Sequence, residues 1–339
     1  MERACWRNVD DPQKDTEAEN ISCERRVTAP VARPHLTRRS PCASIALRCI
    51  VRRMAAVAFL GTGLMGAALA EAAAKRGDRV TAWNRTASKA KALEEFGVRS
   101  AETVPEAVAG AERVHVMLSD DAAVDSVLDA AGDALRSLMV VDHSTTSPGG
   151  TLARANRLET RGVAFLHAPV FMTPKMCREA GGMMLVSGGA ASFAHAEEGL
   201  RAMTGRIEYL GERRDLAAAY KLFGNAMIIA ICGGLADVYT MAASLGIDAR
   251  EAHSLFGKFN SAGVLAYRGA AMATGDYAPT FELTMARKDA RLMIELAADK
   301  ELTVLPAIAR RMDALIARGF GSDDMGVLAV DAVPKKPKA

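Results

Sequence analysis

Val57-Ala58-Phe59-Leu60-Gly61-Thr62-Gly63-Leu64-Met65-Gly66 is the stretch from which the rest of the chain is placed. An apolar run from Met54 to Leu60 enters it, and an alanine-rich segment, Ala67–Arg76, leaves it. The expected conformation is strand, tight turn, helix. Gly61 permits the turn, Gly63 lacks a Cβ and lets a diphosphate approach the backbone, and Gly66 lets the helix pack close on the strand. The helix N-terminus turns unpaired N–H groups and the positive end of its dipole towards phosphate. Gly-x-Gly-x-x-Gly is a weak signal alone. The strand before it and the helix after it are the context that points to dinucleotide binding rather than to a bare structural turn.

Working outward, Arg79–Trp83 alternates as a second strand and ends at Asn84-Arg85-Thr86, 23 residues after Gly61. A site selective for NAD carries an acid near this position to grip the ribose 2′-hydroxyl. Here Asn84 is neutral, and Arg85 and Thr86 suit a 2′-phosphate, because a guanidinium fork makes parallel charge-assisted bonds to such oxygens. The expected cofactor is therefore NADP(H). Arg113–Leu118 reads as a further strand. Its C-terminal end belongs to the ligand crevice of such a sheet, which brings Leu118 and Ser119 to the cofactor. Short helices are expected over 89–96 and 104–109, longer ones over 122–135 and 191–203, and strands over 138–142, 162–166, 183–187 and 207–210. Ser147-Pro148 is an N-cap and first-turn pair. This alternation predicts an α/β fold, a doubly wound Rossmann-type sheet, followed by an all-α C-terminal domain.

Composition narrows the class. The chain has 339 residues and a net charge of +3. Residues 1–53 hold 11 Lys/Arg against 7 Asp/Glu, so the remainder is nearly neutral. A neutral body has no basic stripe for nucleic acid, and no apolar run reads as a membrane span. Cys177 and Cys232 are isolated in the body, with no spacing for zinc or any other metal and no disulfide framework, so a cytoplasmic protein is expected. Residues 1–53, rich in Arg, Pro, Ser and Thr and without sustained periodicity, read as a disordered extension preceding a functional start near Met54. Residues 25–53 have eight arginines and no acid, like a transit peptide, but the acidic stretch before them does not fit one.

Ala217–Leu245 has the length and composition of one long helix, apolar on every side, and is expected to be buried. Lys221 and Asn225, spaced i and i+4 on one face, stand out in it. Desolvation would lower the lysine pKa towards a range useful for general acid catalysis. From the residues alone the competing account is a lysine that reaches solvent near the helix start and an asparagine paired with backbone.

At this point five segments in order give a resemblance. From about Met54 to Leu328 the chain is similar to the β-hydroxyacid dehydrogenase (3-hydroxyisobutyrate dehydrogenase-like) family. GTGLMG corresponds to its signature, and Asn84-Arg85-Thr86 resembles its NADPH-using glyoxylate and succinic semialdehyde reductases. DHSTTSP at 142–148 resembles its cofactor-contacting loop and implies that Thr145 touches the cofactor. YKLFGN at 220–225 resembles its catalytic segment, implying Lys221 as general acid/base with Asn225 beside it. ARKDARLM at 286–293 implies Lys288 at the cofactor. The resemblance also implies residues 54–216 as the NADP-binding domain, 217–330 as a helical domain for substrate and dimerisation, and a homodimer or tetramer. Residues 331–339 read as a frayed basic end without function.

One segment departs from the pattern. The family has Asp-Ala-Pro-Val-Ser-Gly-Gly where this chain has His167-Ala168-Pro169-Val170-Phe171-Met172-Thr173. In the family the serine and glycines hold the substrate carboxylate. Phe171 and Met172 are expected to narrow or grease that cradle, with Thr173 left to offer one hydroxyl, and His167 is expected to be structural. The resemblance implies a small carbonyl or hydroxy compound as substrate, which this segment leaves unnamed. Two other readings are an imine reductase, which Phe171 and Met172 favour and Lys221 opposes, and a silent dinucleotide-binding module, which Lys221, Asn225 and Lys288 oppose.

Overall fold

Strand β1 (Ala56–Leu60) is buried along its whole length, as a central strand covered on both faces must be. Its side chains alternate: Val57 and Phe59 enter one apolar layer, and Ala58 and Leu60 the other. In a computed structural model, residues 54–336 are described. The extension read above for residues 1–53 lies outside them.

β1 pairs in parallel with β2 (Arg79–Trp83) on one side and β4 (Arg113–Val116) on the other. β3 (Arg99–Ser100) extends the first side, and β5 (Met139–Asp142) and β6 (Ala164–His167) extend the second, all parallel. The resulting order, 3-2-1-4-5-6, is that of the dinucleotide-binding doubly wound sheet, with its switch point between β1 and β4. β8 (Met183–Gly188) then joins β6 antiparallel, β7 (Val170–Phe171) pairs antiparallel with β8, and β9 (Arg206–Tyr209) pairs parallel with it. Helices α1 (Leu64–Lys75) and α7 (Ala190–Arg201) cover one face with Leu69, Ala196 and Leu200. α3 (Val104–Val108), α4 (Asp121–Ala131) and α5 (Pro148–Thr160) cover the other with Val108, Leu128 and Leu158. Two short helices complete this part: α2 (Ala87–Lys91) lies beside β2 and β3, and α6 (Pro174–Arg178) packs against α1. The helix expected over 89–96 starts earlier and finishes as a separate 3-10 turn, Glu94–Phe96, because Gly97 closes it at φ 82°.

The remaining helices are α8 (Leu216–Ser244), α9 (Ala249–Ser254), α10 (Ala262–Ala273), α11 (Leu283–Leu296) and α12 (Leu305–Leu315). α11 and α12 share a small core of Tyr277, Leu283, Met312, Leu315 and Val327. Asp324 ties that core together: it accepts the N–H groups of Thr280, Phe281 and Gly326 and pairs with Arg268. These bonds outweigh the effect of burial and hold its carboxyl below the usual carboxylate range.

Three expectations fail here. α8 is not buried: Ile229 is 71% and Phe223 64% exposed, and only four of its residues are buried. Its apolar character on all sides is real, but a single chain covers only its two ends, against α5 and β8 and against α9 and α11. The same helix, with mean hydropathy 1.7 in its most apolar window, is long and apolar enough to cross a membrane by length and composition, contrary to the expectation that no run would be. Its buried Asp237 has a structural reason, since it accepts the N–H groups of Val304 and Leu305 and so caps α12. The basic C-terminal end is not frayed as far as Lys336. Tyr277 donates to the Val333 carbonyl at 2.6 Å, Lys336 N–H donates to the Gly275 carbonyl at 3.0 Å, and Asp331 pairs with Arg311 and Arg318.

Candidate active site

The turn after β1 is built to keep side chains out. Gly61 has φ 100°, a region that favours glycine, and a Cβ there would strike the Met117 carbonyl. A Cβ on Gly66 would strike the Gly61 carbonyl oxygen, so the closeness of α1 to the turn depends on both glycines. Gly63 is different: its missing Cβ faces open space, at the N-cap of α1, with the first N–H groups of the helix beside it. Thr62 is 3% exposed and its hydroxyl has no partner among the described residues. A glycine cradle, a helix N-terminus and an orphaned hydroxyl together fit a diphosphate. Leu64 and Met65 flank the cradle, Leu64 fully in solvent at its edge.

Asn84 connects this turn to the ribose end. Its Oδ1 accepts the Thr62 N–H at 3.0 Å, and its Nδ2 donates to the Thr86 carbonyl at 3.1 Å. Arg85 and Thr86 then project at the mouth of a cleft of about 540 Å³ that also contains Lys89, Leu118, Ser119 and Asp120. Thr86 stands at the N-cap of α2 but its hydroxyl makes no capping bond. Lys89, a second cation on the Arg85 wall, escaped the sequence reading. Its signal was a lysine one turn into the helix that follows Asn-Arg-Thr. The Leu118 N–H is held by Ser144 Oγ at 2.9 Å, which fixes the opposite wall. Asp120 faces inward but caps α4 through the Ala123 N–H at 2.8 Å.

Between this wall and the substrate end runs a chain of buried hydrogen bonds that the sequence did not announce. Arg113 Nε donates to His115 Nε2 at 2.9 Å, His115 Nδ1 meets His143 Nε2 at 2.9 Å, and His143 Nδ1 meets the Ala168 carbonyl at 2.8 Å. Arginine can only donate, so His115 must carry its proton on Nδ1. His143 must then carry its own on Nδ1 and donate to Ala168. Burial keeps both rings neutral: the pKa of His115 falls well below its ordinary value and that of His143 falls to about 4. His167 is also fully buried, 3.7 Å from the Asp142 carboxylate, with neither ring nitrogen hydrogen-bonded. Asp142 in turn meets the buried guanidinium of Arg154.

Lys221 is placed by the start of α8. Ser187 of β8 accepts the Ala217 N–H at 3.3 Å, and Arg214 pairs with Glu159 of α5 at 2.6 Å, so the first turn is fixed to the sheet. One turn on, Lys221 Nζ donates to the Val170 carbonyl at 2.7 Å and lies 4.0 Å from the centre of the Phe171 ring. Desolvation lowers its pKa below the usual lysine value. Asn225 follows on the same face, half-buried.

The departing segment splits into three fates. Phe171 faces Lys221 and packs on Gly224. Met172 does not face the cleft as expected: directly after β7 it turns to the side opposite Phe171 and packs on Gly182 and Cys177, with the thiol 3.7 Å from its sulfur. Thr173 caps α6, accepting the Met176 N–H at 3.3 Å. Thr145 is exposed at the loop after β5. Lys288 is half-exposed on α11 and pairs with its neighbour Asp289 at 2.9 Å. The structure thus unites Lys221 with Phe171, places Asn225 one turn further along the same helix face, and separately unites Gly61–Gly66 with Asn84; among the described residues no bond joins Lys288 to either group.

Residues 56–211 match the NAD binding domain of 6-phosphogluconate dehydrogenase. Glyoxylate/succinic semialdehyde reductase 1 of Arabidopsis thaliana is 27% identical over 281 residues, 81% of this chain and 96% of the relative. In sequence the chain is similar to the β-hydroxyacid dehydrogenase-like family. A reductive aminase from Aspergillus terreus in complex with NADPH and ethyl levulinate superposes with a TM-score of 0.76 at 25% identity, covering 83% of this chain and 99% of that one. An imine reductase from Myxococcus stipitatus in complex with NADP+, at 21% identity and TM-score 0.76 over 81% of this chain and 98% of that one, shares its fold.

Proposed function

We propose that this protein is an NADP(H)-dependent oxidoreductase of the β-hydroxyacid dehydrogenase type, acting on a small carbonyl or hydroxy compound with Lys221 as proton donor and acceptor. The observation that carries the reading is the half-buried Lys221 ammonium, anchored at 2.7 Å to Val170 O on the sheet that also carries the dinucleotide turn. NADP(H), when bound, supplies or takes up the hydride. The protein supplies the rest. Gly61–Gly66 and the N-terminus of α1 hold the diphosphate, Arg85 and Lys89 hold the 2′-phosphate, and Leu118, Ser119, Thr145 and Lys288 complete the cofactor walls. Lys221 gives its proton to the alkoxide oxygen as it forms, helped by a pKa that burial has lowered. Asn225 steadies the same oxygen or the ammonium.

The exposed apolar length of α8, with Phe223, Ile228, Ile229 and Ile231, supports a homodimer or tetramer in which a second copy covers it, since monomers rarely leave so continuous a patch in water. An imine reductase is the second reading, favoured by the aromatic wall at Phe171 and by the likeness to the reductive aminase.

Both readings meet one experiment. NADPH consumption is followed with a panel of aldehydes, 2- and 3-oxo acids and cyclic imines. Turnover of carbonyls supports the first reading, turnover of imines alone transfers it to the second, and no turnover of any by protein that binds NADPH refutes both.

A further inference from the structure

Phe171 lies directly against Lys221. Its ring stacks against the ammonium and fills the space over Gly224, where any side chain would collide with the ring. Gly224 lies three residues after Lys221, on the same helical face. An ammonium has three N–H donors. The Val170 carbonyl takes one and the ring face attracts a second, which leaves one for a substrate oxygen.

We infer that Phe171 and Gly224 form a specificity wall that admits uncharged, apolar carbonyl compounds and turns away carboxylated ones. This rests on the reading of Lys221 as the proton donor. A carboxylate beside the wall would face the negative side of the ring quadrupole and lose its hydration. Its neighbours in the segment offer nothing in return, because Met172 is turned into the core and the Thr173 hydroxyl caps α6. The carboxylate would instead compete for the one N–H that the carbonyl oxygen needs. An apolar substituent stacks on the ring and leaves that N–H alone. Phe171 also positions Lys221, since its face favours the charged form of the amine.

The test uses the full chain with NADPH and compares kcat/KM for benzaldehyde with that for glyoxylate and succinic semialdehyde. The parent should prefer the neutral aldehyde by about tenfold or more. Phe171→Ser should erase that preference. Phe171→Leu, which keeps the bulk, should move the pKa of the proton donor in the pH–rate profile downwards. Gly224→Ala, by displacing the ring, should raise KM for benzaldehyde more than for glyoxylate. Equal or better turnover of the carboxylated aldehydes by the parent overturns the wall and leaves the oxidoreductase reading in place. So does an unmoved pH profile in Phe171→Leu. No turnover of any carbonyl by NADPH-binding protein overturns both.

Discussion

At Gly61–Gly66 the contacts that matter are backbone against backbone: the Met117 carbonyl, just after β4, fills the place of the Gly61 side chain, and the Gly61 carbonyl fills that of Gly66. At Val170–Thr173 they involve side chains, two of whose partners are distant in sequence, a lysine 51 residues from Val170 and a glycine on α8, and one near, a cysteine in the next turn. The first kind of site is specified by glycine spacing and survives any change of neighbour. The second is specified only when both partners are present, and it is where a member of a family can change substrate without changing fold.

The widest gap between the two ends should come from Lys221→Ala. Losing a general acid costs on the order of 10² to 10⁴ in kcat, while the Gly61–Gly66 cradle, which Lys221 does not touch, should bind NADPH as before. Steady-state kinetics beside a fluorescence titration of NADPH checks both halves. A variant with parental kcat would remove chemistry from the Val170 end altogether.

That asymmetry also explains what was legible. β1, the glycine turn, β2 and the Asn84-Arg85-Thr86 ending were readable because each is a local pattern with a local cause. The i, i+4 pair of Lys221 and Asn225 was readable because helix geometry alone puts them together. Lys89 was missed because its place on the cleft wall depends on how α2 sits beside the sheet, and Met172 was misplaced because which way the chain turns after Phe171 depends on the antiparallel pairing of β7 with β8. The exposure of α8 was misread for a related reason: hydrophobicity says that a face will be covered, not that its own chain will cover it. The histidine chain was invisible because His115 and His143 meet only through the register of β4 and β5.

That chain runs through the core of the sheet and ends at Ala168, two residues before Val170, so acid should loosen the fold there. His143 is neutral in the fold with a pKa near 4, against an ordinary 6.5 in the unfolded chain. Above pH 6.5 neither state binds the proton and stability is full. As pH falls, the unfolded chain takes up a proton that the fold refuses, so stability declines down to about pH 4 and then levels, a loss of about 3 kcal/mol from this group. His115 pulls in the same direction. Urea unfolding between pH 7 and 4 measures the slope. His143→Gln, which cannot titrate, should flatten it, and an unchanged slope would assign the acid sensitivity elsewhere.

At the cofactor end, Arg85→Ala should reduce the preference for NADPH over NADH by roughly 10- to 100-fold, the worth of one or two charge-assisted bonds to a phosphate. NADH affinity should stay where it was. Lys89→Ala should do the same more weakly, since an ammonium on the rim makes a point contact without the fork. Equal binding of the two cofactors by the parent protein would leave the cleft at Arg85 without its phosphate.

The smallest effect bears on the sharpest difference from the family pattern. Thr173 stands where a carboxylate-binding glycine is expected, yet its hydroxyl accepts the Met176 N–H and starts α6. If capping is its whole task, Thr173→Ala should lower stability by about 1 kcal/mol and shift Tm by a few degrees, with KM unchanged for neutral and carboxylated aldehydes alike. Thr173→Ser, which keeps the cap, should restore the stability. A rise in KM confined to the carboxylated aldehydes would show that the hydroxyl leaves its helix to meet substrate. The substrate end would then have kept a remnant of the carboxylate cradle beneath the aromatic ring that covers it.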